Sequence, residues 1–161
     1  MNQLSQFGTD WTDQWRRVQR LHARVDRISL GEFIDKDEAL DDVFAFFLNC
    51  HHLTDWVVES GYRSEVSTYA FVNSHFELRL CAHLANGHKH FRLQPRRGVD
   101  TTLSTATVSA PMVWLAVDDS VRVIPPQPEP GKNWMVTSFT GDIDMFELAD
   151  KCLELWRDFL K

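Results

Sequence analysis

Two short segments hold five of the chain's seven histidines: "HHLTDW" at residues 51–56 and "RLCAHLANGHKHF" at residues 79–91. Six of the seven histidines lie between His51 and His90, and histidine is the side chain that changes charge near neutral pH. On a helix, positions i, i+4, i+7 and i+11 share one stripe. Arg79, His83, Asn86 and His90 have that spacing, with Lys89 beside them. In the earlier segment Asp55 reaches His51 at i+4 or His52 at i+3.

Three chemistries could use these groups. The first is metal-independent cleavage of a ribose phosphodiester, with His83 and His90 as acid and base and Arg79 facing the developing charge. His52, Asp55, Asn86 and Lys89 would then hold the substrate. The second is metal binding by His52, Asp55, His83 and His90, but the chain has no His-Glu-x-x-His or Glu-x-x-His pair. No metal and no other cofactor is therefore expected. The third is no catalysis at all, with the cluster fixing the fold or a partner surface. Plainer readings stand beside each piece. Asp55 next to a histidine and Trp56 suits a polar plug at a helix end, and Asn86–Gly87 suits a helix C-terminus.

The elements that must position these residues follow from periodicity. Trp11, Trp15, Val18, His22 and Val25 make one face of a helix running from about Asp10 to Ile28, with Thr9 as its cap. Arg16, Arg20, Arg24 and Arg27 form a stripe on the other side, and "SLGEF" breaks the pattern at Gly31. A second helix starts near Asp37 and ends before Gly61, with Ala39, Val43, Phe46, Cys50, Leu53 and Val57 in one apolar row. Phe44 and Phe47 widen that row, and Val43–Thr54 holds no Asp, Glu, Lys or Arg, so this helix belongs at the centre of a bundle. A third helical region spans about Ser64 to His90 with a break near Asn73–Ser74. A short connection favours antiparallel packing on the second helix, which brings the two polar clusters together at one end.

After Pro95 the pattern changes. "TTLSTATVS", "VWLAVDDSVRVIP" and "WMVTSF" read as short strands separated by turn residues. Asp144 followed by Glu147 resembles a capping box, opening a last helix to about Leu160 with Phe146, Ala149, Leu153, Trp156 and Leu160 inward. The expected class is α+β in one domain over 1–161. A bundle of four to five helices (1–94) is followed by a small antiparallel β meander (95–141) and a closing helix (142–161).

Bulk properties narrow the function. The chain has 161 residues, 43% hydrophobic, enough for one core. Its longest apolar run is too short to cross a bilayer, and the first residues lack the order of a signal peptide. Cys50, Cys81 and Cys152 have no paired spacing and read as reduced core thiols. A cytoplasmic protein without membrane partners is the expectation. The net charge of -6 gives no global attraction for nucleic acid, yet five arginines fall between Arg16 and Arg27.

"HHLTDW", "LCAHLANGHKHF" and "LADKCLELWRDFL" together resemble a group of small, largely uncharacterised bacterial proteins sharing His-x-x-Asp-Trp and Asn-x-x-Lys-His elements. On that resemblance His52, Asp55, Trp56, Asn86, Lys89 and His90 are the matched positions. More loosely, a bundle with Arg and His on a late helix is similar to HEPN domains. That similarity implies RNA binding or cleavage in defence or stress, by a homodimer whose two sites share an interface. An interaction module without catalysis is the contrasting expectation.

Overall fold

The computed structural model describes residues 10–32, 35–89, 107–110, 113–115, 121–123, 134–138 and 141–161. Among these described residues five helices build the core. They are α1 (Trp11–Ser29), α2 (Lys36–Glu59), α3 (Glu65–Ser74), α4 (Phe76–Lys89) and α5 (Met145–Phe159). The apolar row of α2 is buried throughout, from Ala39 to Val57, and Phe46 and Phe47 are fully enclosed. Each such phenyl ring contributes about 1.5–3 kcal/mol by leaving water. As its all-round apolar surface requires, α2 touches all four other helices.

Polar contacts fix the directions in which helices pack on α2. Gln14 meets Asn49 and Arg24 meets Asp42, so α1 runs antiparallel to α2. Tyr62 Oη donates to the Leu160 carbonyl while Cys152 lies beside Cys50, so α5 runs parallel to it. Between α3 and α4 the chain breaks at His75, whose ψ of 121° is extended and whose Nδ1 donates to the Phe71 carbonyl. Phe71 packs on Trp156 and Phe159, level with the C-terminal part of α2, whereas Cys81 reaches the Phe47 carbonyl. The pair α3–α4 therefore descends antiparallel along α2.

Helix boundaries follow local chemistry. Asp35 caps α2 by accepting from the backbone N–H of Asp37 and Glu38, and Asp144 caps α5 by accepting from Phe146 and Glu147. Asp10 takes the N-cap position of α1, and Thr9 lies outside the described residues. Gly31 and Gly61 close the first two helices at φ of 81° and 71°, where glycine avoids the Cβ penalty. Asn86–Gly87 does not end α4, which continues to Lys89.

The strands β1 (Thr107–Ala110), β2 (Val113–Leu115), β3 (Val121–Val123), β4 (Met135–Ser138) and β5 (Gly141–Asp144) pair antiparallel in the order β3-β2-β1-β4-β5. That order is not the meander expected from the sequence, because β4 returns to lie beside β1 instead of β3. Trp134 and Val136 enter the helical core, and the Met145 N–H donates to the Trp134 carbonyl at the strand-to-helix junction. No helix among the described residues is long and apolar enough to cross a membrane.

Candidate functional site

Helix α4 runs unbroken through Arg79, His83 and Asn86, so these three do share one stripe. The stripe is not open. Residues 81–85 are buried in succession, His83 is 7% exposed, and Arg79 and Asn86 are half-buried. The side chain of Lys89 and the whole of His90 lie outside the described residues. A histidine enclosed this far cannot reach a polynucleotide's 2′-hydroxyl while α4 stays packed.

His52 and Asp55 stand elsewhere. Asp55 is exposed, so it is no inward polar plug, and His52 and Trp56 are half-buried. Asp55 lies beside Tyr69 of α3, and Cys81 of α4 lies against Phe47. Asn86 is thus carried farther toward the start of α2, roughly 15–20 Å along the axis from Asp55 at 1.5 Å per residue. Asp55 and Asn86 therefore do not meet. The last turns of α2 face α3 through Tyr69, whereas Cys50 and the turns before it face α4 through Cys81. Burial holds His51 below the ordinary histidine range, opposed by the Asp55 carboxylate. Tyr69 is raised, first by partial burial and then by Asp55.

Two groupings were not foreseen from sequence. His22 of α1 points Nε2 at Asp150 of α5 (2.7 Å) and Nδ1 at Asp26 (3.4 Å). Both carboxylates are more than half exposed, and the arrangement is accounted for as a helix-to-helix polar tie. The second grouping is deeper. Cys50, Cys81 and Cys152 come from α2, α4 and α5, are 0–1% exposed, and have their Sγ atoms within 4.8 Å of one another. Cys81 donates to the Phe47 carbonyl (3.3 Å) and Cys152 to the Glu77 carbonyl (3.5 Å). Burial pushes the Cys81 and Cys152 thiols well up. Each cysteine sat visibly in an apolar helical context. Nothing in spacings of 31 and 71 residues showed that they converge.

The face of α1 opposite the core is basic. Arg16, Arg17, Arg20, Arg24 and Arg27 are all exposed, while Val18, His22, Val25 and Ile28 are buried behind them. Arg16 pairs with Asp13 at 3.4 Å and Arg24 with Asp42 at 3.0 Å. At the start of the same helix Trp11 packs on Tyr62, ring centroids 4.4 Å apart, with the Arg63 guanidinium 5.2 Å from the Tyr62 ring.

No family model, curated protein or solved structure matches the chain.

Proposed function

We propose that this protein binds RNA through the exposed face of α1 and does not cleave it at the α4 stripe. The observation that carries the reading is the alignment of five exposed arginines along one side of a helix whose other side is anchored in the core. Arg16 to Arg27 spans about 16 Å of helix axis, long enough to follow several consecutive phosphates. Arginine suits this task because its planar fork gives two donors to one phosphate. The ion pairs to Asp13 and Asp42 do not oppose it. Both are surface contacts, worth about 0–1 kcal/mol, and a phosphate can replace the carboxylate. The overall charge of -6 leaves distant surfaces repulsive and so confines binding to this face.

Fluorescence anisotropy of a labelled single-stranded oligoribonucleotide tests this directly. Binding is expected at low salt, with Arg20→Glu/Arg27→Glu weakening it by about tenfold or more. RNA incubated with the protein in EDTA is expected to stay intact. Equal binding by the double variant, or none by the wild type, sinks the reading.

A further inference from the structure

We infer that Cys50, Cys81 and Cys152 form a three-thiol site for a soft trivalent metalloid of the arsenite class. The carrying observation is convergence: three helices each deliver one thiol, and the three Sγ atoms fall within 4.8 Å of one another at the centre of the bundle. Three thiolates bonded to one pyramidal centre at about 2.3 Å, with angles near a right angle, sit about 3.4 Å apart, so the triangle need close by no more than about 1.4 Å. The residue type selects soft ions, since thiolate sulfur prefers these to oxygen-seeking cations.

Charge then selects among them. The surroundings are mostly apolar, with Phe46, Phe47, Leu53, Leu80 and Trp156 buried in the same core. Of the two ionisable neighbours, burial holds His51 toward its neutral form while Glu77 adds negative charge, so neither offsets an anionic site. A buried net charge is costly there unless paired. Three thiolates on a monovalent ion leave two negative charges, and on a divalent ion they leave one. On a trivalent centre they leave none. Zinc would also ask for a fourth ligand. His51 follows Cys50 directly and is turned about 100° from it on α2, and His83 stands about 200° around α4 from Cys81. Neither completes a tetrahedron, whereas a pyramidal trivalent centre needs three ligands only.

The reaction balances without an oxidant. As(OH)3 meets three thiols, three As–O bonds break and three As–S bonds form. Each thiol proton leaves with a hydroxide as water, and arsenic stays trivalent.

Titration of the reduced full-length chain with sodium arsenite tests the site. One equivalent is expected to bind, with a native mass gain of one arsenic less three hydrogens. All three cysteines should become unreactive to a thiol reagent added after denaturation in the presence of arsenite. Cys50→Ala, Cys81→Ala and Cys152→Ala, each checked for helicity by circular dichroism, should each lose stoichiometric binding. Protection of two thiols only would overturn the three-thiol site without reference to any variant's folding. So would binding that persists in a folded single variant. Zinc or cadmium displacing arsenite in competition would overturn the choice of a trivalent centre. Refolding in the presence of arsenite separates slow entry from lack of affinity: absence of uptake even then refutes the site.

Discussion

His22 on α1 places Nε2 2.7 Å from Oδ1 of Asp150 on α5, joining helices from opposite ends of the chain. The ring is nearly enclosed and lies edge-on to Phe46, with centroids 5.6 Å apart. His22→Ala removes both the hydrogen bond and the ring contact and is expected to cost about 1–3 kcal/mol. Asp150→Asn should cost less, about 0.5–1.5 kcal/mol, because water can serve its exposed carboxylate. A double-mutant cycle by urea unfolding checks the pair, and a coupling near zero would dismiss the tie.

The caps make a graded prediction. Asp35→Ala and Asp144→Ala each free two backbone donors, at a cost of about 0.5–2 kcal/mol. For a chain of this size each kcal/mol lowers Tm by about 2–4 °C. Asp10 occupies an N-cap without a side-chain bond to the helix backbone, so Asp10→Ala should leave the melting curve nearly in place. Equal shifts in all three variants would contradict this assignment.

What the sequence disclosed divides along a physical line. The rows of α1, α2 and α5 were readable because each buries a face made of apolar residues at helical spacing, such as Val43, Phe46, Cys50 and Leu53. The break before α4 was readable from Asn73–Ser74. Relations between distant segments were not. β4 pairing beside β1 is a long-range choice, and "GDID" does not announce a strand because glycine and aspartate are poor strand formers. The offset that separates Asp55 from Asn86 depends on how far α3 fills the space along α2. The meeting of Cys50, Cys81 and Cys152 depends on three helix registers at once.

Gln14 belongs to the same class, a polar residue at 1% exposure whose partner lies 35 positions away. Its Nε2 donates to the Asn49 carbonyl at 2.8 Å and to Asn49 Oδ1 at 3.2 Å. Gln14→Met keeps most of the volume and loses the donor, at about 1 kcal/mol. Gln14→Ala adds a cavity and should cost about 2–3 kcal/mol in all. Chemical denaturation orders the two. Should Met prove as damaging as Ala, the hydrogen bonds outweigh packing at this position.

Tyr69 supplies a pH prediction. Partial burial, then the negative charge of Asp55, raises its phenol above the ordinary tyrosine value of about 10. The folded chain therefore holds this proton more tightly than the unfolded one. The contribution to stability is complete below the unfolded value and is lost as pH climbs through the folded one. The difference in ultraviolet absorbance between wild type and Tyr69→Phe should titrate late. Asp55→Asn should bring the midpoint down without restoring it fully, since burial remains. A midpoint unmoved by Asp55→Asn would show that the carboxylate does not act on the phenol.

Salt dependence decides whether the arginine face of α1 is what holds RNA. Each phosphate neutralised on a single strand contributes about 0.7 to the slope of log affinity against log salt. If Arg16, Arg17, Arg20, Arg24 and Arg27 each meet one phosphate, the slope is about -3.5. Arg20→Ala/Arg27→Ala removes two contacts and should flatten it by about 1.4. Arg20 and Arg27 are both exposed, so urea unfolding should scarcely change. A flattened slope with unchanged stability separates phosphate binding from a structural role of these residues. An unaltered slope would move the RNA contact off this helix altogether.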